Sequence, residues 1–280
     1  MLNCNNTTIY VGMIPDSETT QIPADAVNLT GLLDGFGTTQ ISGLTRPKAE
    51  INRSALAGAN ASRISGAQIT ERNIVMDIVP QGDGEEMRQA LYDILPFDTM
   101  LRFYVETKQR CVYIDGYAEE LEGDEPNGDE FSVQVSIICP FPWFQSVRPH
   151  SVNLAVGDNT VRYDGDIPAG WTLNVPPQES PPLVGSVGDL EITISGETFA
   201  YSGNISVPTI CAIPGRKSFT GIRSATGDTR HPAFDAMIAG CPWPMIGRNG
   251  NNVSVSCSDA TREFFEKQNV FTYRDTYSGV

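Results

Sequence analysis

The side chains with chemistry to offer are few and poorly spaced for it. There are two histidines, His150 and His231, and neither stands near a cysteine or an acid at metal-ligand spacing. His231 has Asp228 before it and Asp235 after it, yet no base–nucleophile–orienter set can be assembled around it. Acids are plentiful, so the paired carboxylates of glycoside hydrolysis must be weighed. Trp143, Trp171 and Trp243 are the candidate sugar platforms of a carbohydrate-binding sandwich. Each sits in a Pro or Gly context (Pro142-Trp143, Gly170-Trp171, Pro242-Trp243-Pro244), which suits a plug at a domain or sheet edge better. Gly31-Leu-Leu-Asp-Gly-Phe-Gly37 fits neither a dinucleotide fingerprint nor a P-loop. Asp124-Glu-Pro-Asn-Gly-Asp-Glu130 has the wrong ligand spacing for a calcium loop, with Pro126 among the would-be ligands. The expectation is a protein that is not an enzyme, with no catalytic, cofactor-binding or metal-binding residue and no cofactor.

The six cysteines, Cys4, Cys111, Cys139, Cys211, Cys241 and Cys257, show no CxxC pair and no secreted disulfide pattern. Cys111, Cys139 and Cys257 lie in apolar or alternating stretches, so buried free thiols are expected. No apolar run approaches the length of a membrane span, which predicts no membrane insertion. The first residues, Met-Leu-Asn-Cys-Asn-Asn-Thr-Thr, lack the regions of a signal peptide, and folding in a cytoplasm is the expectation.

Charge is the strongest compositional signal. The 280 residues carry 34 acids against 19 bases, a net −15. Residues 1–148 hold 21 acids and 10 bases, a net −11, and residues 149–280 hold 13 and 9, a net −4. Such a balance argues against a bound nucleic acid, because phosphate binding needs clustered Lys and Arg. Asp115, Glu119, Glu120, Glu122, Asp124, Glu125, Asp129 and Glu130 follow one another with no base among them. That run reads as a solvated loop, as a surface that repels polyanions, or as one that meets a basic partner.

The elements that must position these groups are mostly strands. Asn73–Val79 alternates Ile74, Met76 and Ile78 with Val75 and Asp77. One helix is predicted next: Asp83 as N-cap, Glu85 and Glu86 in the first turn, and Met87, Leu91, Ile94 and Leu95 on one stripe, stopped by Pro96. Met100–Glu106 and Arg110–Tyr117 read as a hairpin, Ala118–Glu130 as an acidic loop, and Phe131–Cys139 as an alternating strand. Residues 12–68 are loop-rich, and the small residues Ser54–Ser62 suit the tip of an extended hairpin.

A domain boundary is expected near Val147–Ser151, after the Pro140-Phe-Pro-Trp-Phe144 segment. Beyond it the chain reads as all-β, a sandwich or jelly roll with a stiff Pro176–Pro182 loop and a longer Ser224–Pro232 loop. Phe271–Val280 reads as one closing strand, with Phe271, Tyr273 and Asp275 on a common face.

These features, taken in order, resemble a known family. Gly66, Arg72, the Asn73–Val79 strand, the Asp83–Leu95 helix, the Met100–Tyr117 hairpin, the acidic Ala118–Glu130 turn and Phe131–Cys139 running into Pro140–Phe144 are similar to the N-terminal domain of the siphophage distal tail proteins. Gly165-Asp166-Ile-Pro168 with Trp171–Val175, Trp243–Asn252 and the closing Tyr277-Ser-Gly-Val280 resemble that family's second domain. Gly247–Asn251 is less compact than the family's turn, and residues 212–246 match nothing in it. The resemblance implies a mainly β fold with one helix in the first domain. Residues 1–148 would be a split-barrel-like, ring-forming belt domain with an extended hairpin, and residues 149–280 a galectin-like β-sandwich.

It further implies a structural virion protein at the distal end of a phage tail, assembled in the host bacterial cytoplasm. As partners it implies a homohexameric ring (one ring or two stacked), the tail tube protein, a tail-tip hub protein and, as a further candidate, receptor-binding proteins. DNA would pass through the ring without being specifically bound. The alternative is a lectin-like tail or cell-surface protein that binds carbohydrate through its second domain.

Overall fold

The computed structural model describes all residues except 1–6, 17–18, 32–34, 56–61, 124–131, 176–185, 223–230 and 249–251. The chain divides into two compact units, Met1–Arg148 with Tyr277–Val280, and Pro149–Thr276. The last four residues, read from sequence as part of 149–280, lie in the first unit.

The first unit contains β1 (Thr7–Met13), β2 (Val27–Asn28), β3 (Phe36–Ser42), β4 (Glu50–Ala55), β5 (Ser62–Gln68), β6 (Arg72–Pro80), α1 (Gly84–Ile94), β7 (Leu101–Thr107), β8 (Cys111–Gly123), β9 (Val133–Cys139) and β10 (Phe144–Ser146). Its barrel-like main sheet runs β2-β1-β7-β8-β9-β6-β3, with β10 added onto β8. Its strands pair antiparallel, and β8 does double duty. Its first half, Cys111–Gly116, pairs β7 and its second half, Tyr117–Gly123, pairs β9. At the crossing point Gly116 leaves no room for a side chain: a Cβ there would meet Cys139 Sγ and Ile137 Cγ2 at 2.9 Å. The stretch Ala118–Gly123, read as loop, therefore belongs to a strand, because its apolar positions Ala118 and Leu121 fall opposite Ile137 and Val135 of β9.

Period-two burial explains why these segments are strands. Ile74, Met76 and Ile78 of β6 and Val133, Val135 and Ile137 of β9 face one core, while Asn73, Gln134 and their neighbours face out. Each such fully buried side chain stabilises by about 1.5–3 kcal/mol. Helix α1 covers the same core with Leu91 and Leu95, both buried, and half-buried Met87 and Ile94. Asp83 caps it, accepting from the backbone N–H of Glu85 at 3.1 Å and Glu86 at 3.3 Å.

The second unit contains β11 (His150–Val152), β12 (Gly157–Thr160), β13 (Trp171–Asn174), β14 (Ser186–Gly188), β15 (Glu191–Ile194), β16 (Glu197–Ala200), β17 (Asn204–Cys211), β18 (Ser218–Ile222), β19 (His231–Pro232), β20 (Asn252–Ser256), α2 (Arg262–Gln268) and β21 (Val270–Tyr273), and β22 (Thr276–Tyr277) begins at its end. One sheet runs β11-β21-β13-β17-β18-β19 with β14 on β17, and the other runs β12-β20-β15-β16. Leu173, Phe271, Ile210 and Phe219 from the first and Ile192, Ile194, Phe199, Val253 and Val255 from the second share one core, the mark of a sandwich.

Three details refine the sequence reading. The strand at β17 contains Pro208, which the shift in register between Ser206 and Thr209 accommodates. Helix α2 carries the i,i+4 pairs Arg262–Glu266 and Lys267–Glu263 and buries Phe265. Its C-terminus is tied down by buried Asn269, whose Nδ2 donates to Phe265 O and Leu154 O and whose Oδ1 accepts from Leu154 N. The closing strand is broken between Tyr273 and Thr276, because Asp275 turns inward and accepts from Asp164 N and from His150 Nε2, both at 2.9 Å.

Candidate assembly surface

Among the described residues, strands β4 and β5 pair only with each other. All seven residues of β5 are exposed, including Ile64 at 63%, and Ile51 on β4 is 43% exposed. A two-stranded hairpin with no core of its own is marginal in water. The tip expected from Ser54–Ser62 lies largely outside the described residues, but both strands leading to it are present. The arm carries an irregularity between Asn52 and Arg53, where Ser65 is left unpaired and its hydroxyl donates to Asn52 O at 3.4 Å.

The root of the arm is anchored from below. Gly43 turns the chain out of β3 at φ +82°, and a Cβ there would meet Asn73 O at 2.1 Å, so only glycine fits. Arg72, the first residue of β6, is 2% exposed and has no carboxylate partner among the described residues. Instead its Nη1 donates to Gly43 O at 2.5 Å and Thr45 O at 2.7 Å, its Nε to Pro142 O at 2.8 Å and its Nη2 to Ser278 O at 2.5 Å. Burial lowers its pKa to about 10, which leaves it a cation at neutral pH. Val280 N donates to Leu44 O at 3.1 Å, and Arg110 lies 4.3 Å over the Tyr277 ring. The chain's last residues thus clasp the segment from which the arm departs.

Above Arg72 lies a cleft of about 660 Å³ lined by Arg46, Lys48, Arg53, Glu50 and Glu71, with Arg72 also on its wall. The opposite sign gathers elsewhere in the unit. On the outer face of the main sheet, Glu122, Gln134 and Asp77 stand in register across β8, β9 and β6, and Gln134 Nε2 donates to Asp77 Oδ1 at 2.9 Å. Glu119 and Glu120 extend that acidic face, both exposed, and no lysine or arginine occurs in β8 or β9. Asp115 does not belong to it. Its carboxylate accepts both Nε (2.7 Å) and Nη2 (2.9 Å) of Arg102 on the neighbouring strand, a bidentate pair beneath the ring of Tyr113. Asp124–Glu130, including the calcium-like spacing, lies outside the described residues.

The residues with chemical potential are not brought together. His150 stacks on Tyr273 at 4.9 Å and bonds Asp275, while only the backbone of His231 is described. Trp171 is fully buried with Nε1 donating to Pro244 O, and Trp243 packs on Phe199 at 5.0 Å. Trp143 is half-buried. Cys111, Cys139, Cys211, Cys241 and Cys257 are free thiols, and Cys139 alone of them is fully buried. Among the described residues no group of three or more His, Cys, Asp or Glu is placed to hold a metal ion. The Pro176–Pro182 loop and most of the Ser224–Pro232 loop also lie outside the described residues.

A barrel-like sheet and a two-stranded arm, followed in sequence by a two-sheet sandwich, make a fold that this chain shares with solved phage tail proteins. The chain is similar to SPP1 Dit (gp 19.1), a protein described as a paradigm of the hub adsorption apparatus in phages infecting Gram-positive hosts. The TM-score is 0.65 at 13% identity, over 96% of this chain and 98% of that one. It is also similar to chains of the phage P2 baseplate in its activated conformation with calcium and with strontium, each at TM-score 0.52 and 12% identity, over 98% of this chain and 99% of theirs. No protein-family profile and no curated protein sequence matches. The likeness is one of fold, and it is to hub and baseplate proteins rather than to enzymes.

Proposed function

We propose that this chain is a distal tail hub of a long-tailed bacteriophage: a structural protein that forms a hexameric ring between the tail tube and the tail-tip or receptor-binding apparatus and lets DNA pass. The observation that carries this reading is that the likeness to SPP1 Dit runs through both units and nearly the full length of both chains. An arm with no core of its own supports self-assembly, since its exposed Ile51 and Ile64 find no cover within the chain's own described residues. The net charge of −15 suits a conduit that does not retain DNA, because each neutralised phosphate would strengthen binding. The ring-forming domain would be residues 1–148 with the last four residues, and the sandwich would face the tail-tip partners. In this reading the protein resides in the virion at the end of the tail, after assembly in the host cytoplasm.

Negative-stain imaging and light scattering of the purified protein test it. Sixfold rings of about 180 kDa, or of twice that for two stacked rings, are expected from a 30.4 kDa chain. A monomer at high micromolar concentration, combined with specific binding on a glycan array, would replace the hub by the lectin reading.

A further inference from the structure

We infer that the basic cleft at the root of the β4–β5 arm receives the acidic outer end of β8 from a second copy of this chain. This rests on the hub reading above and names the contact that would close its ring.

The argument starts from where the charges lie. Residues 46–70 hold four bases, Arg46, Lys48, Arg53 and Arg63, against the single acid Glu50. The rest of residues 1–148 holds 20 acids against six bases. Of those six, Arg72 is committed to main-chain carbonyls, Arg102 to Asp115 and Arg88 to Glu85. Arg46, Lys48 and Arg53 are exposed, line one cleft, and make no ion pair among the described residues. Glu119, Glu120 and Glu122 likewise find no base there, Glu119 only accepting a 3.4 Å bond from Ser136. Both halves of a complementary pair are therefore present and unmet within one chain. A cleft on one surface and a ridge on another form a heterologous contact, and a heterologous contact that closes makes a ring. Charges at such a rim steer encounter and make association depend on salt.

The test uses the full chain in three forms: wild type, Arg46→Glu/Lys48→Glu/Arg53→Glu, and Glu119→Lys/Glu120→Lys/Glu122→Lys. Association is followed by light scattering and negative stain across ionic strength. The wild-type ring is expected to dissociate at least tenfold more readily on going from low to high salt. Each variant alone juxtaposes like charges and is expected to assemble at least tenfold more weakly. Mixed one to one, they present opposite charges at every contact and are expected to recover rings of alternating copies. The recovery also shows that both variants are folded. Wild-type rings indifferent to salt, variants that assemble alone as well as wild type, or a mixture that stays apart would each overturn the inference while leaving the hub reading standing. A wild type that never assembles would remove both. Duplex DNA bound by wild type and released by the cleft substitutions, with rings unaffected, would assign the cleft to phosphate and overturn the contact proposed here.

Discussion

The guanidinium carbon of Arg72 lies 4.5 Å from the centre of the Phe144 ring, so that a buried cation is held between an aromatic face and four main-chain carbonyls. The carbonyls come from the β3–β4 connection, the segment before β10 and the end of the chain. One side chain therefore joins three stretches that are far apart in sequence.

Arg72→Ala should leave those carbonyls unsatisfied and lower first-unit stability by about 3 kcal/mol or more. Arg72→Lys should restore only part of this, because an ammonium lacks the planar fork that reaches carbonyls in different directions. Denaturant unfolding of the full chain checks both, and equal midpoints for wild type and Arg72→Ala would refute the anchoring role.

Asp83→Ala should destabilise α1 by about 1 kcal/mol, and Asp83→Asn by much less, since asparagine still accepts from the N–H groups of Glu85 and Glu86. Helical circular dichroism with thermal unfolding reads the difference.

Deleting residues 55–61 should weaken the ring yet leave thermal unfolding of the second unit nearly unchanged, because the strands flanking the deletion are exposed throughout. Loss of the whole protomer on heating would show that the arm is core structure instead.

How much of this was legible beforehand followed from range. Helix α1 and strands β6 and β9 repeat their apolar residues at the period of one element, so a local pattern reveals them. Arg72 was visible only as a family feature, because its partners lie 29, 27, 70 and 206 residues away and are backbone atoms common to every residue type. Asp115 reads in sequence as one of the exposed acids because nothing in its neighbours announces Arg102 on the adjacent strand. The seven-residue α2 is too short to show a stripe, and β17 holds Pro208 because a register shift accommodates it. The basic cleft is hidden in the sequence for another reason: its bases are scattered through a loop-rich stretch and acquire meaning only as walls of one cavity.

Alkaline conditions above pH 10 should destabilise the second unit. Burial, the largest cause, raises the phenols of Tyr163 and Tyr273 from 10.0 to about 12, and each hydroxyl also donates to a backbone carbonyl, of Ile167 and Arg162 respectively. With the folded pKa above the unfolded one, their contribution to stability is complete below pH 10 and is lost as pH rises toward 12. Tyrosinate absorbance should rise in step with unfolding. Tyr163→Phe and Tyr273→Phe together should flatten that pH dependence.

Thiol reagents should modify the native protein without touching Cys139. Burial pushes its thiol up to about 12, so almost no thiolate exists at neutral pH. Mass mapping of modified peptides, native against denatured, checks this, and native labelling of Cys139 would contradict its burial.

The clasp formed by Tyr277–Val280 also sets an order of events during synthesis. The ribosome makes β1 to β10 first, but Ser278 and Val280, which complete the contacts to Arg72 and Leu44, are added only after the entire Pro149–Thr276 unit has been translated. The later-made unit can therefore finish folding before the earlier one. Until Ser278 is in place, the anchor beneath the arm lacks one of its four carbonyls, and a nascent chain carries an arm whose base is not yet fixed.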